Sequence, residues 1–153
     1  MKKYLMLLTL LVLLILTACG GGDEEEAAAP ADTSSQQKKE TIQVLMNDIY
    51  FGNTNDNATN PPVWTVTSGA EVTVAMENAG ALEHNWAVLK LGEDLTEMYD
   101  EATHKDLILF EATKVPAKSN KSVTFTAPEA GEYVVICIIP GHSMLMRGKL
   151  IVN

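Results

Sequence analysis

Thiolate, imidazole and thioether donors crowd into one short stretch near the C-terminus, Cys137-Ile138-Ile139-Pro140-Gly141-His142-Ser143-Met144-Leu145-Met146. A second imidazole, His84, stands well upstream in Leu82-Glu83-His84-Asn85-Trp86. Thiolate and thioether sulfur favour Cu(I) and imidazole suits both oxidation states, so a site that combines them changes little on reduction. The cluster therefore predicts a transition metal held by soft and borderline donors. A lone Cys or His in a β-rich domain is more often packing than chemistry, and it is the combination that argues otherwise here. The competing chemistry is a Cys137–His142 nucleophilic pair. It lacks a helix N-terminus to depress the thiol pKa, because the cysteine follows a strand and enters a loop.

The elements that must position these donors read as strands. From Thr41 onward apolar residues recur with period two, as in Ile42-Val44-Met46, Val72-Val74-Met76 and Val123-Phe125. Further strands are predicted over Val63–Thr67, Asn85–Leu91, Tyr133–Cys137 and Lys149–Val152, separated by turn signals such as Ser68-Gly69, Asn78-Ala79-Gly80 and Pro128-Glu129-Ala130-Gly131. Roughly seven short strands of this kind make an all-β sandwich. His84 falls at the start of one strand and Cys137 at the end of another, and neighbouring strands would bring the two together. Asp94–Ala102 departs from the pattern: Leu95, Met98, Tyr99 and Ala102 share one helical face behind Asp94 as N-cap, which predicts a short helix inside an insertion. Residues 52–62 form a polar loop. Trp64 and Trp86 read as core aromatics, Tyr133 as a corner hydrogen-bond donor, and His104, between Thr103 and Lys105, as an exposed histidine.

Two imidazoles and a thiolate in a trigonal array, with a weak axial thioether, are the known ligand set of blue-copper electron-transfer sites. The motif Cys-x-x-Pro-Gly-His-Ser-x-Leu-Met-x-Gly, here Cys137 to Gly148, resembles the ligand loop of the cupredoxins, specifically their azurin and auracyanin branch, in spacing and in filler residues. Tyr133–Cys137 resembles the strand that leads into that loop, and His84-Asn85-Trp86 resembles the first ligand with its two followers. The resemblance covers roughly residues 41–153. It implies a Greek-key β-sandwich, one type 1 copper cycling between Cu(I) and Cu(II), His84, Cys137 and His142 as equatorial ligands, and Met146 as the axial one. It also implies that Asn85 stiffens the ligand loop by hydrogen bonding near Cys137. Met144, only two residues past His142, lacks the family spacing and is assigned to packing. Three departures stand out. Cys137 is the sole cysteine of this region, so azurin's disulfide has no counterpart; Glu83 replaces the glycine before the first histidine; and Arg147 occupies the place one residue further on, where the auracyanin pattern can carry its axial methionine.

The N-terminus predicts where such a protein would work. Lys2 and Lys3 precede an apolar run from Tyr4 to Ala18 that is shorter than the roughly 20 residues needed to cross a bilayer. It ends in Leu16-Thr17-Ala18-Cys19, which resembles the lipobox of bacterial lipoproteins. Residues 1–18 are thus expected to be a signal peptide, and Cys19 the site of diacylglyceryl attachment and palmitoylation. Residues 20–40, rich in Gly, Ala, Ser and Glu, predict a flexible acidic tether, with a reach on the order of 25 Å as a coil. The expected location is the extracytoplasmic face of the cell membrane, towards the periplasm or the cell exterior. The charge balance, 20 acidic against 11 basic residues, disfavours nucleic-acid binding.

The reading that unites these features is a membrane-tethered, monomeric electron carrier and not an enzyme, shuttling single electrons between redox proteins such as a cytochrome, an oxidase or a reaction centre. A multicopper oxidase or nitrite reductase would place histidines beside the cysteine, where Ile136 and Ile138 stand. A binuclear copper centre would need a second loop cysteine. The alternative outside enzymes is a copper chaperone or storage protein, which would offer exposed, labile sulfur.

Overall fold

The structure, a computed structural model, describes residues 36–153. The expected signal peptide, Cys19 and most of the expected tether lie outside the described residues. Strand β1 (Lys39–Asn47) buries Ile42, Val44 and Met46 on one face. It starts ahead of the Thr41 boundary expected from sequence, because Lys39 and Glu40 pair with Glu71 and Val72. After a two-residue β2 (Tyr50–Phe51) and β3 (Val63–Val66), β4 (Glu71–Asn78) runs parallel to β1 with Val72, Val74 and Met76 turned inward. Next come β5 (Ala87–Leu89), helix α1 (Glu101–His104) with a 3-10 turn over Lys105–Leu107, and β6 (Ile108–Glu111). The chain closes with β7 (Ser119–Thr126), β8 (Gly131–Ile136) and β9 (Arg147–Val152).

These strands form two mixed sheets, ordered β2-β1-β4-β7 and β3-β9-β8-β5-β6. The chain changes sheet repeatedly, so that β1 meets β4 and β3 meets β9 as parallel neighbours; this is the β-sandwich expected from the alternating pattern. Between the sheets lies a core centred on Trp86, whose ring meets Trp64 edge-on at 5.9 Å and Phe125 at 5.9 Å. Burying each such side chain contributes ~1.5–3 kcal/mol. Gly148 on β9 is required by the same packing, since a Cβ there would overlap the Trp64 ring. A smaller cluster of Ala87, Leu89, Leu95 and Ile136 is covered by Tyr99, Leu107 and Ile108 from the insertion.

The insertion corrects two expectations. Asp94–Ala102 is not a helix: the helix begins at Glu101, capped by the Asp100 side chain, which accepts from the Ala102 amide at 2.8 Å. Leu95 instead sinks into the outer cluster at 5% exposure, and Asp94 turns to the Leu95 amide and to Arg147. His104 is not an exposed residue either. Its side chain is 14% exposed, its Nδ1 accepts from the Asp100 amide at 3.0 Å, and its Nε2 lies 3.5 Å from the Glu97 carboxylate. Periodicity also overlooked β2 and β6, and it extended β5 at both ends. Trp64 and Trp86 are buried as expected, and the Tyr133 hydroxyl donates to the Glu129 carbonyl at 2.7 Å.

Candidate metal centre

Pairing of β5 with β8, through Ala87 opposite Ile136, sets the chain just before Ala87 beside the chain just after Ile136. His84 and Cys137 meet there although their positions differ by 53. His84 is fixed by two backbone bonds with Val115, 3.1 and 2.7 Å, one in each direction. Asn78 secures that corner from below: fully buried, it donates to the carbonyls of Leu82, Val115 and Pro116 and accepts from the Gly80 amide. In the sequence, Asn78 carries only a turn signal.

The ligand loop is closed at its base by the Cys137 amide donating to the Met146 carbonyl at 3.1 Å. Within it, the His142 amide donates to Ile139, while the Leu145 and Met146 amides both donate to the His142 carbonyl. The loop is thus a pair of hydrogen-bonded turns that present His142 inward. Gly141, at φ 87°, sits in the left-handed region where a side chain would be strained. Asn85 holds the loop from the other strand. Its Oδ1 accepts from the Ile138 amide at 2.9 Å and its Nδ2 donates to Glu111 at 3.2 Å. Glu111 carries no signal in the sequence that would have marked it.

The result is a compact donor set: the ligating atoms of His84, Cys137 and His142 all lie within 4.8 Å of one another. Cys137 Sγ is 3.6 Å from His142 Nδ1 and 3.9 Å from His84 Nδ1. Metal bonds of roughly 2.0 Å to imidazole nitrogen and roughly 2.3 Å to thiolate sulfur, spread at 120°, put nitrogen and sulfur roughly 3.7 Å apart, so the spacing of Cys137 from each imidazole fits donors that would share one metal ion. Two nitrogens and one sulfur are also the chemistry that copper prefers. Met146 is fully buried, as are Cys137 and His84, whereas His142 is 9% exposed. Met144 is half-buried and Leu145 half-exposed.

Burial sets the protonation of the metal-free donors. Desolvation, reinforced by repulsion from His142, pushes His84 down to about 4. Desolvation also lowers His142, so both imidazoles are neutral at pH 7. Burial pushes the Cys137 thiol up, against the opposing pull of the Asn85 and Ile139 backbone amides. A bound cation reverses that balance, since a coordinating thiol is deprotonated outright.

The comparisons agree with this geometry. The family of copper binding proteins described as plastocyanin/azurin matches residues 51–153. Auracyanin-A of Chloroflexus aurantiacus is 37% identical over 102 residues, covering 58% of this chain and 63% of its own length. Auracyanin-B of the same organism is 29% identical over 90 residues, covering 50% of this chain and 38% of its own length. The chain thus spans less than two thirds of the length of these relatives. Among solved structures, auracyanin A, a "blue" copper protein from Chloroflexus aurantiacus, aligns with a TM-score of 0.56 and 29% identity, over 75% of this chain and 99% of that one. Dithionite-reduced auracyanin from Roseiflexus castenholzii aligns with a TM-score of 0.59 and 25% identity, over 74% and 96%. With the fold, the donor set and the matched residues in accord, the chain belongs to the plastocyanin/azurin family of copper-binding proteins and is a cupredoxin of the azurin and auracyanin branch.

Proposed function

We propose that this protein is a membrane-tethered carrier of single electrons, with His84, Cys137 and His142 as in-plane ligands to one type 1 copper and Met146 as the axial ligand. The observation that carries the reading is the buried convergence of two imidazole nitrogens on the Cys137 sulfur, at 3.6 and 3.9 Å. Copper bound there would supply one-electron redox chemistry between Cu(I) and Cu(II). The chain's part is to hold the donors in one arrangement for both states, which the loop's own turns and the Asn85 bridge favour. Burial of all three donors supports retention of the metal over the handing-on expected of a chaperone. His142 is the least buried donor, and exposed Pro140 and Leu145 flank it, so its edge is the exit for electrons to a redox partner such as a cytochrome, an oxidase or a reaction centre.

The lipobox-like Leu16-Thr17-Ala18-Cys19 supports a lipid anchor at Cys19, with the acidic stretch behind it as a tether on the extracytoplasmic face of the cell membrane. Among the described residues no helix is long and apolar enough to cross a membrane. The test is optical. The protein titrated with Cu(II) should take up one equivalent and develop an intense visible band that reductant bleaches reversibly. A Cys137→Ser variant that kept the band would overturn the assignment.

A further inference from the structure

The stretch Asp94–Tyr99 has the apolar spacing of a helix and forms none. Asp94, Leu95, Met98 and Tyr99 instead bond Ser143 and Arg147, the residues that follow His142 and Met146. The Tyr99 amide donates to Ser143 Oγ at 2.8 Å, and the Ser143 hydroxyl in turn reaches Met98 sulfur at 3.9 Å. Ser143 is 1% exposed, so both bonds of its hydroxyl go to this stretch. Arg147, whose side chain is 16% exposed, pairs with the Asp94 carboxylate and donates to the Leu95 carbonyl at 3.5 Å. Leu95 itself is buried against β5 and β8 in the outer cluster, which fastens the stretch to the sheet that carries Cys137.

The two ties are placed with a common logic. Ser143 directly follows His142, and Arg147 directly follows Met146. Asn85 and Glu111 hold the loop near Cys137, but they do not touch its distal half. We propose that Asp94–Tyr99 is a strap across that distal half, and that Ser143 and Arg147 are positioning residues through which it keeps His142 and Met146 in ligating geometry before and after the metal binds. The inference rests on the copper-carrier reading for its purpose, though not for its geometry. A helix over the same residues would have turned its amides inward on itself and left Ser143 without a donor. In the irregular, bent form the Tyr99 amide and the Leu95 carbonyl are free to bond the loop, at the expense of intrahelical bonds that so short a helix makes poorly.

The experiment compares Ser143→Ala, Asp94→Ala and Tyr133→Phe with the wild-type full chain. Tyr133→Phe removes the Glu129 bond at the far end of β8 and serves as the control for general loss of stability. Two quantities are read: hydrogen exchange of the Leu145 and Met146 amides in the metal-free protein, which reports local opening, and release of Cu(I) from the loaded protein to a chelator. Ser143→Ala leaves the part-buried Tyr99 amide without its acceptor, so both rates should rise about tenfold relative to the exchange of β4 amides. Asp94→Ala removes a more exposed partner and should raise both about threefold. It also keeps the test decisive if Ser143→Ala does not fold. Wild-type rates in Asp94→Ala and Ser143→Ala, or equal increases in Tyr133→Phe, would overturn the strap. Should the wild type take up no copper, the metal reading fails, and amide exchange in the metal-free protein still decides the strap.

Discussion

Loading the metal-free protein with Cu(I) at neutral pH should expel one proton, so the apparent affinity should rise about tenfold for each pH unit between 7 and 8. The magnitude follows from the three donors. His84 is held down to about 4 and His142 below its ordinary 6.5, so neither carries a proton to lose in this window. Cys137 is raised from an ordinary 9.0 by burial and is still a thiol. Binding as a thiolate therefore releases one proton, which makes the slope of log affinity against pH equal to one, or about 1.4 kcal/mol per pH unit. Below the ordinary imidazole value the slope should steepen, as His142 and His84 compete for protons. The same shift has a consequence for the metal-free fold. The unfolded His84 protonates near 6.5 and the folded one only near 4, so the unfolded chain binds more protons between those values and stability falls as the pH drops through that window. Anaerobic competition with a colorimetric Cu(I) chelator, corrected for the chelator's own protonation, measures the slope. Calorimetry in buffers of different ionisation enthalpy counts the proton independently. A slope of zero would mean that Cys137 is not the displaced acid. A slope of two would mean that an imidazole is charged at neutrality, and either result refutes the electrostatic account of the site.

Met146→Leu should keep copper and raise the reduction potential, because loss of the thioether donor destabilises the oxidised metal more than the reduced one; voltammetry that instead shows a shift only in Met144→Leu would move the axial role to Met144. Leu145→Asp, at a side chain 50% exposed, should slow electron exchange with a redox partner at high salt while leaving the visible spectrum intact. Equal stopped-flow rates in the two proteins would place the exit elsewhere than His142. Cys19→Ala should abolish incorporation of a labelled lipid precursor and free the protein from membranes, and unchanged labelling would remove Cys19 as the anchor. Asn78→Ala should weaken the corner at His84, costing ~1–3 kcal/mol in chemical denaturation, since it takes the acceptor from the buried Gly80 amide and a donor from the Leu82, Val115 and Pro116 carbonyls at once.

What could be read directly from the residues is what is local in the chain. Cys137, His142 and Met146 lie within one turn-rich loop, so their spacing alone carries the ligand pattern, and period-two burial in Ile42-Val44-Met46 or Val72-Val74-Met76 announces the sandwich because a strand's side chains alternate by geometry. What tertiary structure decided is whatever depends on partners distant in sequence. That His84 reaches Cys137 follows from Ala87 pairing with Ile136, a register chosen by core packing around Trp86 and invisible to any local pattern. Glu111 matters only because Asn85 lands beside it, and Asn78 only because Leu82, Val115 and Pro116 turn their carbonyls towards it. The helix expected over Asp94–Ala102 failed for the same reason: its apolar spacing was real, but Leu95 had a buried place against Ile136, and Tyr99 and Asp94 had partners on the ligand loop. Local propensity for so short a helix is weak, and burial with satisfied hydrogen bonds outweighed it.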